Sequence, residues 1–126
     1  MGLDMYLERR NKDDKAMDAW EQVMYWRKAN QVRKWFSENL ELGVENCEFS
    51  YVTKQNLEDL IAKCEMVLKC HDLAHALLPT SSGFFFGSMG YDDWYFMQLE
   101  DTVTGLKKVI AETAWETQVV AYYEWW

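Results

Sequence analysis

The chain has 126 residues, 49% of them apolar, and a formal net charge of −8. That is a single domain's length of chain, 1–126, able to bury one core without disulfides or metal and too apolar to remain disordered. No apolar run approaches the roughly 18 residues of a membrane span. The acidic balance disfavours nucleic acid, whose grip depends on phosphate neutralisation, and disfavours anionic membrane surfaces as well.

The charge is unevenly spread. Residues 1–34 carry net +2 and residues 35–126 net −10. The first ten residues are charged where a secretory signal would be apolar, so Cys47, Cys64 and Cys70 are expected as free thiols in a reducing cytoplasm.

In chain order, Leu3, Met5 and Leu7 alternate with Asp4, Tyr6 and Glu8, the period of a strand. Ala16, Ala19, Val23, Trp26, Ala29, Val32 and Phe36 recur every three or four residues. Their spacing predicts one long amphipathic helix, capped at Asp13 or Asp14 and closing near Ser37–Asn39. Cys47, Phe49 and Tyr51 predict a short strand ending at Val52. Thr53 is placed to cap a second helix with the stripe Leu57, Leu60, Ile61, Cys64, Val67 and Leu68, limited by Pro79. Thr80 to Gly90 reads as turn material around three phenylalanines. Asp92 or Asp93 is placed to cap a third helix, weakened by Gly105, and Val119 to Trp126 reads as a last strand. The strands are short and half-polar, which favours an antiparallel sheet. The expected fold class is α+β, with about three helices on one face of a small, mostly antiparallel sheet.

Two features point to a binding surface. On the predicted first helix, Arg27, Lys28 and Arg33 find no carboxylate three or four residues away, the spacing at which helical ion pairs form. With Asn30 and the rings of Trp26 and Trp35 they are candidates to meet an anionic or polar ligand. The alternative is pairing with acidic residues of other elements. The second feature is Gly83-Phe84-Phe85-Phe86-Gly87. Three successive phenylalanines cannot all face one side of a strand, so Phe85 or a neighbour, together with Tyr91, is expected to line a pocket or meet another chain. This is not a phosphate loop, because no Gly-Lys-Ser/Thr follows.

Catalytic signals are weak. His71 and His75 have a two-ligand spacing, and Cys64 falls near the same helix face, but no third ligand is marked. The default is a hydrogen-bonded histidine pair, with no metal and no cofactor. A small metal- or cysteine-dependent enzyme remains an alternative.

Several blocks agree in order and spacing with a known family: Met1-Gly2-Leu3-Asp4-Met5-Tyr6-Leu7, Tyr25-Trp26-Arg27-Lys28-Ala29-Asn30-Gln31 with Trp35-Phe36, Asn46-Cys47, Leu77-Leu78-Pro79-Thr80 running into Gly83 to Ser88, Tyr91-Asp92 with Tyr95, and the tail Tyr122-Tyr123 to Trp126. In these the chain resembles a family of small proteins found in bacteriophage and prophage genomes. The resemblance implies origin rather than activity. It points to a non-enzymatic accessory protein in the bacterial host cytoplasm, inhibiting a host defence component by binding. A small-molecule or nucleotide-signal sponge using Arg27, Lys28, Arg33 and aromatic walls is the alternative. The expected partner is a host protein or a small anionic ligand. The seven Trp, including the terminal Trp125-Trp126 pair, exceed what one small core holds and lead us to expect a homodimer.

Overall fold

The computed structural model describes residues 3–40, 49–81 and 90–125. Among these residues there are four strands, β1 (Asp4–Asn11), β2 (Glu21–Arg27), β3 (Ser50–Val52) and β4 (Gln118–Trp125), and four α-helices, α1 (Asn30–Asn39), α2 (Lys54–Lys69), α3 (Ala74–Leu77) and α4 (Asp93–Glu112). The sheet runs β2-β1-β4-β3 with every neighbour antiparallel. The fold is α+β, and its two central strands come from opposite ends of the chain.

The alternation in β1 works as expected. Leu3, Met5 and Leu7 are fully buried beneath the helices, while Asp4, Tyr6 and Glu8 turn to the other face and stay half-exposed. In β4, Val120, Tyr122 and Glu124 point into the core and Tyr123 and Trp125 point away. The Phe36 ring of α1 stacks on Tyr122 with centroids 4.3 Å apart and meets Trp26 edge-on at 5.7 Å. Leu57, Leu60, Ile61, Cys64 and Val67 of α2 face Tyr95, Leu99, Leu106 and Val109 of α4 in the same core. Each such side chain contributes about 1.5–3 kcal/mol by leaving water.

Two of the three predicted helix caps form. The Thr53 hydroxyl accepts from Asn56 N–H at 3.0 Å and Asn56 returns the bond at 2.8 Å, a capping box. Asp92 accepts from Tyr95 N–H at 3.1 Å. Gly105, helix-weakening by itself, leaves room for Met24 of β2: a Cβ there would meet Met24 Sδ, and the flexible thioether end would have to move.

Three expectations are corrected. The long helix predicted from Asp14 to Asn39 is instead a hairpin loop with a 3-10 turn at Met17–Ala19, then β2, then α1. The three-to-four spacing there rested partly on Ala16 and Ala19, which bury little. Met24 and Trp26 also alternate with Tyr25 and Arg27, and pairing with β1, which shifts register between Leu7 and Glu8, decided between the two periods. Second, α2 ends at Lys69, and Cys70, at φ −141°, turns the chain into a 3-10 turn (His71–Leu73) and α3. His71 and His75 therefore do not share α2, and His71 stacks flat on Phe96 at 3.7 Å. Third, β3 starts at Ser50. Cys47 and the Phe84 to Phe86 triplet lie outside the described residues.

Candidate functional site

The segment Tyr25 to Gln31 is a strand-to-helix joint. Trp26, the last inward residue of β2, is buried and donates its indole N–H to Thr102 Oγ1 at 2.8 Å. Arg27 is exposed, and its carbonyl accepts from Gln98 Nε2 at 3.2 Å. Lys28 takes the corner at φ 54°, the left-handed region that an L residue seldom enters, and its N–H donates to the Leu3 carbonyl at 2.7 Å. Ala29 and Asn30 follow, both buried, and Gln31 Nε2 donates to Gln98 Oε1 at 2.9 Å. The motif thus closes a buried polar network whose members satisfy one another, as a dry interior requires.

Trp26, Arg27, Lys28 and Asn30 are contiguous, but they diverge: Trp26 and Asn30 point inward and Arg27 points outward. Arg33, on α1, has a tertiary partner. Its guanidinium holds Glu124 at 3.2–3.3 Å, and the Tyr122 hydroxyl donates to the same carboxylate at 2.9 Å. The carboxylate is 8% exposed and the guanidinium 17%, so Arg33 completes a core ion pair, the alternative that the sequence left open for these cations. Lys34 pairs with Glu38 at 3.0 Å along α1.

Asn30 Oδ1 accepts from Ser81 N–H at 3.0 Å, and the Tyr91 hydroxyl accepts from Thr80 N–H at 3.3 Å. The two predicted halves of the site, the joint and the flanks of the phenylalanine loop, are therefore neighbours. Phe85 itself lies outside the described residues. Beside the joint is a cleft of about 210 Å³, lined by Tyr25, Trp26, Arg27, Trp94, Gln98 and Asp101.

A second surface escaped the sequence reading. On the sheet face opposite the helices, ring follows ring: Tyr25 to Tyr6 at 5.4 Å, Tyr6 to Tyr123 at 5.7 Å, Tyr123 to Phe49 at 5.0 Å, Phe49 to Trp20 at 4.8 Å and Trp20 to Tyr51 at 6.4 Å. The first three belong to neighbouring strands in register. Trp20 precedes β2 on one edge and Phe49 precedes β3 on the other. Three strand spacings, about 14 Å, separate these edges, so the stacked rings must lie over the face. No described helix covers it. Tyr51, Trp125 and Tyr25 are 59%, 54% and 44% exposed.

Charges are set among these rings. Asp4 and Glu8 flank Tyr6 on β1, and the Tyr25 hydroxyl donates to Asp4 Oδ1 at 2.5 Å. That bond to a carboxylate pushes the Tyr25 phenol up to about 12. Burial raises the Glu8 carboxyl, and burial followed by the charges of Asp4 and Glu8 raises Tyr6. The Arg10 guanidinium lies 4.9 Å over Trp20 and donates to the Tyr51 hydroxyl at 3.1 Å and to the carbonyls of Asn11, Lys12 and Asp14. A sequence signal existed: the outward positions Tyr6, Tyr123 and Trp125 are aromatic where a solvated strand face carries Lys or Thr.

Buried groups elsewhere serve the core. Burial drives the Cys64 thiol up to about 12, which keeps it protonated and poor as a nucleophile or ligand. Among the described residues no group of three His, Cys, Asp or Glu side chains could hold a metal ion, and no helix is long and apolar enough to cross a membrane. No family model, curated protein or solved structure matches the chain.

Proposed function

We propose that the protein acts by binding, without turnover, and that a protein partner docks on the aromatic face of its sheet. The observation that carries this is the continuous ring array from Tyr25 to Tyr51 on a face that no described helix covers. Aromatic side chains supply large, rigid contact area and dominate interface energetics. A monomer that leaves them half-exposed carries the surface of a docking site. With the resemblance to phage and prophage proteins, this gives a phage accessory protein that inhibits a host defence component in the bacterial cytoplasm.

The test is capture from bacterial lysate by the purified chain and by its Tyr51→Ser/Trp125→Ser variant. Both side chains are more than half exposed, so the variant is expected to fold. A host protein retained by the parent and lost by the variant supports the reading; equal retention removes this face from it.

A second reading is favoured by the cleft of Tyr25, Trp26, Arg27, Trp94, Gln98 and Asp101. An exposed guanidinium beside an indole is a means of holding a small anionic ligand such as a nucleotide. A nucleotide panel in a thermal-shift assay tests it, since a ligand of the native state raises the Tm by mass action. A shift abolished by Arg27→Glu places the ligand in the cleft.

A further inference from the structure

We propose that the free edge of β2, with the cleft beside it, binds an extended, uncharged segment of a protein partner as an added antiparallel strand, and that one bulky apolar side chain of that segment fills the cleft. This goes beyond the docking reading above, since it concerns an edge of the sheet rather than its aromatic face.

The register shows which backbone groups the edge offers. Lys28 N–H donates to the Leu3 carbonyl, and β1 and β2 run antiparallel with Asp4 opposite Arg27, Met5 opposite Trp26 and Tyr6 opposite Tyr25. Bonded and non-bonded pairs alternate along such a ladder. Lys28, Trp26 and Met24 therefore turn their N–H and C=O groups toward β1, and Arg27 and Tyr25 turn theirs away from it. The Arg27 carbonyl agrees with this direction, because it accepts from Gln98 Nε2 of α4 at 3.2 Å. The Arg27 N–H and both backbone groups of Tyr25 have no partner among the described residues. Pairing shifts between Leu7 and Glu8, and such a bulge limits how far a further strand can pair. The usable edge is thus short, Tyr25 to Arg27.

A free edge alone is an ordinary feature of a sheet, but here a wall stands beside it. Helix α4 runs alongside β2 in the opposite direction: Gln98 bonds the Arg27 carbonyl, Thr102 accepts from Trp26, and Gly105 lies against Met24. From Gln98 to Gly105 the helix advances about 10 Å, as the strand does from Arg27 to Met24, so the two elements stay together over this length. Trp94 and Asp101 share the Gln98 side of α4. With Tyr25, Trp26, Arg27 and Gln98 they line the cleft of about 210 Å³, and Trp94 is 54% exposed there.

Strand geometry joins the edge to the cleft. In an added antiparallel strand, the residue opposite Tyr25 exchanges both backbone bonds with it, and the next residue, opposite Trp26, faces the helix side. That residue sends its side chain into the cleft, against Trp94. Main-chain bonds then give affinity and the cleft selects the side chain. The charges of the cleft select no ion, because Arg27 and Asp101 line it together and Asp4 stands opposite Arg27 on β1. An apolar or aromatic side chain on a neutral backbone is the chemistry that fits.

The experiment titrates the purified full-length chain with capped peptides Thr-Val-X-Val-Thr, X being Phe, Leu, Lys or Glu, read by tryptophan fluorescence and by amide hydrogen exchange. In the free chain the Tyr25 and Arg27 amides are expected to exchange faster than those of Met24 and Trp26. The Phe and Leu peptides are expected to bind more tightly than the Lys and Glu peptides and to slow those two amides about tenfold or more. N-methylation of both valines is expected to abolish binding, whereas N-methylation of X, whose N–H points away from β2, is expected to be tolerated. Trp94→Ser, at an exposed position, is expected to weaken binding about tenfold while the melting temperature shows the variant folded. Failure of every peptide, with or without a nucleotide held in the cleft, would overturn the proposal, as would unchanged exchange of the two amides. A doubled mass by light scattering with Tyr25 and Arg27 already protected would give the edge to a second copy and overturn it too. If the peptides bind while lysate capture is indifferent to Tyr51→Ser/Trp125→Ser, the edge stands and the docking face falls. If capture is lost with that variant and no peptide binds, the docking face stands and the edge falls.

Discussion

The two faces of the sheet are built from alternate residues of the same strands, and both are rich in aromatics. On the helix-covered face Trp26 and Tyr122 are almost fully buried, and each polar tip has a partner, Thr102 for the indole and Glu124 for the phenol. On the other face Tyr6, Tyr25 and Tyr123 make ring contacts at similar distances but remain half-exposed. Ring packing is common to both, and what separates them is completion. A buried tip must be paired, because an orphaned polar group costs about 1–3 kcal/mol, whereas a half-exposed ring leaves free area for another molecule.

High pH should test this difference most severely. Burial pushes the phenols of Tyr95 and Tyr122 well above their ordinary value of 10 and the Cys64 thiol to about 12 from 9. A group whose pKa is raised by folding gives stability that is whole below its unfolded pKa and is lost as pH rises toward the folded one. Unfolding should therefore set in between about pH 9 and 12 as these three groups are forced to ionise. Tyr25, on the open face, should ionise near pH 12 and add to the same loss. Circular dichroism melts across this range check it; a Tm that is flat to pH 12 would contradict the completed core.

Among substitutions, the largest cost belongs to the ion pair. Glu124→Leu takes the carboxylate away from the Arg33 guanidinium and the Tyr122 hydroxyl, and removing one partner of a buried pair costs about 3–5 kcal/mol. In urea melts Arg33→Met/Glu124→Leu should recover much of it, because the desolvated charge goes with its partner. Gln98→Leu should cost about 1–3 kcal/mol by orphaning Gln31 Nε2 and the Arg27 carbonyl. Lys28→Gly should act in the opposite direction, gaining up to about 1 kcal/mol as the left-handed corner loses its Cβ. Smallest of all, Trp125→Ser and Tyr51→Ser on the open face should each stay within about 0.5 kcal/mol, while changing what the protein binds. A large loss of stability from either would mean that the open face is a second core.

Local chemistry made much of the fold legible. The alternation of Leu3, Met5 and Leu7, the capping groups of Thr53 and Asp92, and the β-rich tail from Val119 act within a few residues, so strand β1, the starts of α2 and α4, and strand β4 could be read directly. The segment Ala16 to Arg27 could not, because its apolar residues satisfy both a helical and an alternating period and only the edge of β1 selected the strand. The site was legible to the same extent. The block Tyr25 to Gln31 stood out by its cations, yet their meaning was tertiary: Arg33 found Glu124 across 91 residues of sequence, Asn30 found Ser81, and Lys28 became a corner.

The sequence by itself determined the class of the molecule: length, apolar content, a period-two start and a β-rich tail require one core with a sheet against helices. It also determined that aromatics exceed what that core needs. Where the surplus lies was decided only by the tertiary structure. Antiparallel pairing sets Tyr25, Tyr6 and Tyr123 side by side from three strands, and the loops before β2 and β3 lay Trp20 against Phe49. Pattern along a chain states which side a residue faces, but register and closure state which distant residues share that side.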